Sequence, residues 1–383
     1  MTPVSYHLRS LMVRAPTSAA SAVGVGLVVF VCAAVLMLLG GLRHALAVGG
    51  DERRVVVLRE GSEAELTSQF ETSAAARATD APEVEAAEAE VVITMTFARA
   101  DGGGAANAVL RGVGPGSLAL RPEVQLIAGR LPTTEGEREL VVGRALLGRY
   151  RGLVLDGTVD LGDDLGQARV VGVIAAHGSP TESEIWASRE FVQAVAGRRG
   201  LSSSVMVRLR SPGDFARYAA RVHADADAGL VAERARDYLD RQGDRLARFL
   251  LGIGALLGAC FSLAAAIGVT VTMHTSVARR SREIGTLRAL GYTRAAVLGG
   301  FLFEALLIGG AGAVLGLAGA ALLSHARFSL VNVANWSQLI FELRLSGSVV
   351  VAALVVALGA GVLGGLLPAL RAAMIPPANA VRR

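Results

Sequence analysis

The sequence predicts a membrane protein: four transmembrane α-helices, with a mixed α/β extracytoplasmic domain inserted between helices 1 and 2. Three observations carry that prediction. Mean hydropathy is +0.48, with 52% hydrophobic and only 19% charged residues, where soluble domains lie nearer a quarter charged. Four apolar runs are each long enough to cross a bilayer, which takes roughly 20 residues. All but three of the 33 acidic residues (Glu283, Glu304 and Glu342 are the exceptions) fall between Gly49 and Arg245. A weakly acidic block is thus set into a basic, apolar frame.

The first run, Ala15–Leu42, carries no charge. It follows Arg9 and Arg14, and Ala45-Leu46-Ala47 resembles a cleavage site. A signal-peptide apolar core spans only about 7–15 residues, so the reading is a retained anchor. Phe249–Met273 and Leu345–Leu370 are also uncharged, and Ala295–Ser324 is interrupted only by Glu304. Cys32 and Cys260 lie inside these runs and read as buried packing residues, not as a disulfide or metal site.

Arginine placement sets the orientation. Arg9, Arg14, Arg279, Arg280, Arg282, Arg288, Arg294, Arg371, Arg382 and Arg383 fall on one side; Arg43, Arg248, Arg327 and Arg344 lie near the opposite ends. Both termini are therefore expected inside. The expected boundaries are 1–14 inner segment, 15–48 first span, 49–245 outer domain with stalk, 246–275 second span, 276–293 inner helix, 294–324 third span, 325–345 short outer loop, 346–370 fourth span and 371–383 inner tail.

Within the outer block, Val55–Arg59, Val91–Phe97, Glu139–Val142, Ala168–Ala175 and Val205–Leu209 are β-rich. Ser62–Ala78, Arg189–Ala196 and Pro212–Ala228 look helical. Gly102–Gly104 and Gly112–Gly116 mark loops. Glu83–Glu90 reads as a solvated acidic face or loop, and Ala228–Arg248 as a charged stalk running into the second span.

Several chemistries are set aside. The chain has no lysine, so all 38 basic residues are arginine, and no Walker A or Schiff-base lysine exists in it. His7, His44, His177, His223, His274 and His325 show no metal-clamp spacing, and no metal is expected. Asp163-Asp164 reads as a turn pair rather than a calcium site, which needs six to eight oxygens. Asn335-Trp336-Ser337 is a glycosylation sequon by pattern only. No nucleophile elbow is found. The high pI comes from the apolar frame and does not indicate nucleic-acid binding.

The most specific stretch is Ser276–Glu304, SVARRSREIGTLRALGYTRAAVLGGFLFE. Val277, Ile284, Leu287 and Leu290 form an apolar stripe at helical spacing, with arginines on the remaining face. Gly291 suits a helix C-terminal cap and Thr293 the next N-cap. Two readings stand on these residues: an interfacial anchor among anionic headgroups, or a docking helix for an inner-side protein.

Arg280-x-Arg282-Glu283-Ile284-Gly285-x-x-Arg288-Ala289-Leu290-Gly291 resembles the signature of FtsX/MacB-type ABC transporter permeases. Phe301-Leu302-Phe303-Glu304-Ala305 resembles the family's third span, and Leu367–Ala373 with Pro377–Arg382 its C-terminal end. In the outer block, Gly129–Pro132, Glu139–Gly143, Val170–Val173 and Glu184–Trp186 are similar to phrases of the family's periplasmic domain. The resemblance implies a bacterial inner-membrane permease with both termini cytoplasmic, working as a homodimer or as a heterodimer with a paralogue. Two copies of a separate ATPase would carry ATP and Mg, leaving no catalytic residue and no cofactor on this chain. It implies mechanotransmission: the coupling helix, with Arg280, Arg282, Glu283, Ile284, Gly285, Leu287, Arg288, Ala289, Leu290 and Gly291, would relay nucleotide-driven motion to the periplasmic domain. Export or extraction of an amphipathic or lipid-like substrate would follow, with a periplasmic adaptor, an outer-membrane channel and membrane lipid as further partners. A signalling subunit that activates a cell-wall hydrolase, a lipoprotein-releasing permease and an ATPase-free sensor are the alternatives. On the residues alone, Gly285 either admits a partner's backbone or packs on lipid and its own spans.

Glu304 lies about ten residues into the third span, roughly 15 Å deep. An intramembrane carboxylate is costly and marks function by default. The reading here is structural, an interhelical hydrogen bond that holds the bundle together, since a single carboxylate lacks the relay of partners a proton pathway needs. Gly254/Gly258, Gly312/Gly316 and Gly361/Gly365 place a small-xxx-small pair in each of spans two to four, for packing within the subunit or between copies.

Overall fold

The structure, a computed structural model, describes residues 15–47, 51–133, 138–162, 165–324, 327–332 and 337–375. Arg9, Arg14, Asp163, Asp164, Asn335, Trp336 and the Pro377–Arg382 motif lie outside the described residues. The chain divides into two compact units, one of residues 1–40, 247–326 and 343–383, the other of residues 41–246 and 327–342.

Among the described residues, four helices are long and apolar enough to cross a membrane. They are α1 (Ala15–Ala47), α5 (Ala235–Arg279), α7 (Arg294–Leu323) and α8 (Gly347–Ala373). The short α6 (Ser281–Ala289) stands between α5 and α7. Their shared core holds Val25, Val29, Val269, Met273, Phe301, Ala305, Ile308, Ala353 and Ala357. Alanines are interspersed through it, and because lipid is as apolar as leucine, close backbone packing and interhelical hydrogen bonds have to supply the attraction. Ser21 and Thr272 hydroxyls meet at 2.6 Å between α1 and α5. Thr270 donates to the Gly364 carbonyl at 2.8 Å between α5 and α8. Much of α5 is unpacked: Phe249, Leu256, Leu263, Ile267 and Val271 are exposed. Cys260 lies on that helix and is exposed, and Cys32 is only half-buried, so the expectation of two buried packing cysteines fails.

The second unit is built on a ten-stranded sheet of order β12-β1-β11-β3-β4-β9-β6-β8-β5, with β7 added beside β8. The strands are β1 (Arg54–Arg59), β3 (Val84–Ala98), β4 (Ala105–Val113), β5 (Gln125–Gly129), β6 (Glu139–Gly143), β7 (Thr158–Asp160), β8 (Gln167–Ala175), β9 (Glu184–Ser188), β11 (Ser204–Leu209) and β12 (Leu230–Arg234). A two-residue pair, β2 (Phe70–Glu71) with β10 (Leu201–Ser202), stands apart. Strand β3 joins two lobes. Its first half pairs with β11 from Val84 to Glu90, and its second with β4 from Val91 to Ala98. Helices α2 (Thr72–Thr79) and α4 (Phe215–Ala224) cover the first lobe, around Val55, Val57, Val207 and Tyr218. Helix α3 (Arg189–Val195) covers the second, around Leu110, Leu140, Val170 and Ile185.

Three local expectations are corrected. Glu83–Glu90 is not a solvated face or loop: Val84–Glu90 is the first half of β3, Glu83 just before it is buried, and Glu90 is fully buried. Ser62–Ala78 is helical only from Thr72. The segment before it is tied down by distant partners, as Ser68 Oγ accepts from the Arg59 N–H at 2.9 Å and β2 pairs with β10. Within Ala228–Arg248, β12 takes the first part and α5 starts at Ala235. The short outer loop is a β-hairpin, β13 (Arg327–Asn332) against β14 (Ser337–Glu342), and it belongs to the sheet unit.

Candidate functional site: the inner turn and a buried charge cluster

The turn between α5 and α7 forms for local reasons. Helix α5 ends at Arg279, and Arg280 leaves helical geometry with φ −102° and ψ 15°. Helix α6 then runs to Ala289, with Leu290 as its C-cap. Gly291 follows at φ +93°, a left-handed value that a side chain would strain. The Thr293 hydroxyl caps α7 by accepting from the Ala296 N–H at 3.2 Å. Both capping roles read from the sequence are present.

The faces of α6 divide sharply. Ile284 and Gly285 are buried, Leu287 and Arg288 half-buried, and Arg282, Glu283, Thr286, Ala289 and Gly291 exposed. Leu290 is 74% exposed, so the apolar stripe stops at Leu287 and its last member faces outward. Ile284 and Gly285 are both buried, and Ile284 joins the core shared with the long helices. Arg288 Nη1 donates to the Tyr292 carbonyl at 3.2 Å, bracing the turn.

Glu304 is not lone. Arg280 Nη1 donates to its Oε1 at 2.7 Å, with the side chains 9% and 3% exposed. The interhelical partner of Glu304 is Arg280, which stands at the junction of α5 and α6. Its Nε also meets Glu283 at 3.1 Å, and the guanidinium lies over the Phe301 ring at 5.5 Å.

The glycine pairs separate by helix. A Cβ at Gly312 would stand 2.7 Å from Val25 Cβ, and one at Gly316 2.5 Å from the Gly26 carbonyl oxygen, so α7 lies directly on α1. A Cβ at Gly361 would meet the Ala305 carbonyl oxygen at 2.9 Å, and one at Gly365 the Ala305 Cβ at 2.5 Å. Gly309, absent from the sequence reading, is the matching close approach on α7, 2.8 Å from the Ala357 carbonyl oxygen by the same measure. A Cβ at Gly254 would meet Val35 at 2.5 Å, whereas among the described residues nothing would lie within 4 Å of one at Gly258.

In the sheet unit, sequence reasoning missed a buried charge cluster. Arg111 uses every guanidinium hydrogen. Nε and Nη2 donate to Glu184 at 2.8 and 2.9 Å, Nη1 and Nη2 to Glu65 at 2.9 Å each, and Nη1 to Glu90 at 2.7 Å. Arg121 adds two bonds to Glu90, at 2.6 and 2.7 Å, and lies over the Trp186 ring at 5.5 Å. Burial alone raises the Glu90 carboxyl, but the Arg121 and Arg111 guanidiniums overturn that and bring it to about 2. Burial likewise pushes Glu65 up, and Arg111 pulls it below its usual range. Tyr238, in the first turn of α5, accepts from the Glu65 N–H at 3.1 Å, so the base of α5 is linked to the cluster. The signal in the sequence was charge at strand positions, Glu90 and Arg111, where an exposed face was the simpler reading.

The outer-block phrases matched to the family map to one region. Gly129, Glu139–Gly143, Val170–Val173 and Glu184–Trp186 belong to β5, β6, β8 and β9, consecutive neighbours in the sheet. Arg130, just past β5, pairs with Glu139 at the start of β6.

Two family models match the chain: the MacB-like periplasmic core domain over residues 17–225 and the FtsX-like permease C-terminal over residues 255–377. The chain is 39% identical over 134 residues to the uncharacterized ABC transporter permease YknZ of Bacillus subtilis, covering 34% of this chain and 30% of that one. It is 37% identical over 117 residues to the macrolide export ATP-binding/permease protein MacB of Rhodopseudomonas palustris, covering 30% of this chain and 17% of that one. The alignments thus span less than a third of either relative's length. Among solved structures, the periplasmic region of MacB from Actinobacillus actinomycetemcomitans is similar at TM-score 0.39 and 13% identity, over 51% of this chain and 94% of that one. With an α/β domain of the MacB periplasmic core type between its first two apolar helices and an FtsX-like C-terminal part, the chain belongs to the FtsX/MacB-type ABC transporter permease family.

Proposed function

We propose that this chain is the non-catalytic permease subunit of an inner-membrane ABC transporter, with cytoplasmic termini, driven by two copies of a separate ATPase. ATP and Mg bind that partner, since a chain without lysine has no Walker A lysine to hold the phosphates. The observation that carries the reading is the division of α6. Ile284 and Gly285 hold it to its own unit, while Arg282, Glu283, Ala289 and Leu290 face outward at a short turn between two spans. Leu290 offers a partner an apolar contact, and Arg282 and Glu283 offer it ionic ones. Motion of α6 would pass to the spans and then to the periplasmic domain. The substrate class proposed is amphipathic or lipid-like, exported with a periplasmic adaptor and outer-membrane channel, by analogy with relatives named for macrolide export. The unpacked face of α5, including Gly258, is available to lipid or to a second permease copy. Activation of a cell-wall hydrolase and lipoprotein release use the same motion and remain the alternatives; the periplasmic protein captured by residues 51–243 within the full chain separates them.

The test is co-purification of the full chain from its native membrane, followed by ATPase assays in nanodiscs. Leu290→Asp and Arg282→Glu should each abolish stimulation of a co-purified P-loop ATPase while leaving insertion and melting unchanged. Full stimulation in both variants, or nucleotide hydrolysis by the chain alone, would refute the reading.

A further inference from the structure

We infer that the sheet unit carries a binding site for a small neutral diol, in a cavity between the sheet and the first turns of α5. The cavity measures about 120 Å³. Val56 of β1, Met206 of β11, Val92 of β3 and Val109 of β4 line one side of it, and these four strands are consecutive in the sheet. Tyr238, Leu239 and Gln242 of α5 line it too, as does Ser179, just before the single turn Pro180–Ser183 that leads into β9.

Two buried polar atoms on this lining have no hydrogen-bond partner among the described residues: Arg54 Nε and Ser179 Oγ. Their residues are 5% and 2% exposed. Arg54 spends Nη1 and Nη2 on Glu123, at 2.7 and 2.9 Å, which fixes the guanidinium and leaves the Nε hydrogen to a guest. Ser179 makes no capping bond to the turn it precedes. A buried donor without an acceptor is costly, so both atoms call for an oxygen.

Charge decides that the guest is neutral. Among the described residues the lining holds Arg54, Arg111 and Arg121 against Glu65, Glu123 and Glu184, and each is already in an ion pair. A further ion would enter uncompensated, at a large desolvation cost. The carboxylates still have room for O–H donors, since each offers about four lone-pair sites. A hydroxyl that accepts from Arg54 or Ser179 and donates to a carboxylate meets both needs, and two such donors ask for two hydroxyls. The valines and Met206 give the carbon skeleton an apolar wall that water alone would not use. A cavity of about 150 Å³ holds benzene, so this one takes a guest of about five or six heavy atoms. Such a guest touches the sheet and α5 together, and its presence is felt at the base of that helix.

Propylene glycol, titrated into the full chain in nanodiscs in the Trp336→Phe background, tests the site. Trp186 donates to the cavity carboxylate Glu184 at 3.0 Å, so its emission should change saturably. Isopropanol, with one hydroxyl fewer, should bind about tenfold more weakly. Lactate, the same skeleton bearing a carboxylate, should bind more weakly still. Ser179→Ala should weaken the diol about tenfold, yet leave the melting of the ligand-free chain unchanged or raised, because it removes an unpartnered buried hydroxyl. The diol should also slow exchange of amides 236–242. No saturable response, equal affinity for diol and isopropanol, tighter binding of lactate, or unchanged diol affinity in Ser179→Ala overturns the site. Lower melting of ligand-free Ser179→Ala also overturns it, since water would then already satisfy the hydroxyl. Exchange unchanged at 236–242 while Trp186 responds places the diol elsewhere and overturns it as well.

Discussion

Arg111 Nη1 donates to Glu90 Oε2 across 2.7 Å at the middle of the sheet, where Glu90 has no solvent contact. The bond sits where β3 passes from pairing with β11 to pairing with β4, so it braces the joint between the two lobes. Breaking a buried pair by removing one partner costs about 3–5 kcal/mol because a charge is left uncompensated. Glu90→Gln should therefore lower the stability of the sheet unit by that order, read by Trp186 fluorescence during urea unfolding in a Trp336→Phe background. A loss under about 1 kcal/mol would place the bracing elsewhere.

The same carboxylate predicts acid sensitivity. The folded Glu90 value of about 2 lies below its ordinary 4.5. A depressed folded value gives stability that is present above 4.5 and is lost as pH falls from 4.5 toward 2. Melting of the sheet unit should decline through that window, and the decline should flatten in Glu90→Gln. An equal slope in both proteins would assign the acid transition to other groups.

Close packing of α7 on α1 and α8 sets the tolerance of the glycines. Gly316→Leu and Gly361→Leu force a side chain against backbone and should cost at least 1–3 kcal/mol by overpacking, seen as lower melting in detergent. A Cβ at Gly258 would meet nothing within 4 Å among the described residues, and Gly258→Leu should leave the melting of the monomer unchanged. If Gly258→Leu lowers the mass of the complex in solution, that face of α5 contacts a second copy.

Tyr238→Phe removes the acceptor of the Glu65 N–H and leaves packing against Val56 and Leu58 intact. The expected loss is about 1 kcal/mol, with faster amide exchange confined to Glu65 and the first turn of α5. Exchange unchanged at both places would show that the hydroxyl does not hold the base of that helix.

Much of the organisation was legible because it is written in short-range pattern. The span positions follow from apolar length, and the caps at Gly291 and Thr293 from residue type at a helix end. Strands such as Val205–Leu209 announce themselves by β-branched residues. The misreadings share a cause. Glu83–Glu90 looks like a solvated surface because nothing nearby neutralises it; its counterions, Arg111 and Arg121, lie 21 and 31 residues from Glu90. Ser62–Ala78 has helical composition, but hydrogen bonds to Arg59 and pairing with β10 hold its first half in another shape. The signature Arg280 looks like one more inner-face arginine until the kink points it at Glu304.

The amino-acid pattern by itself determined the number of spans, the inserted α/β block and the amphipathic turn after residue 275, because burial in lipid and helix capping act on neighbours in the chain. Only the tertiary structure decided which charges are buried together, which glycines touch a neighbouring helix and which face of α6 is free. Those outcomes depend on residues far apart in sequence coming within a few ångströms, and a low-dielectric interior permits a charge only where its partner has already been placed.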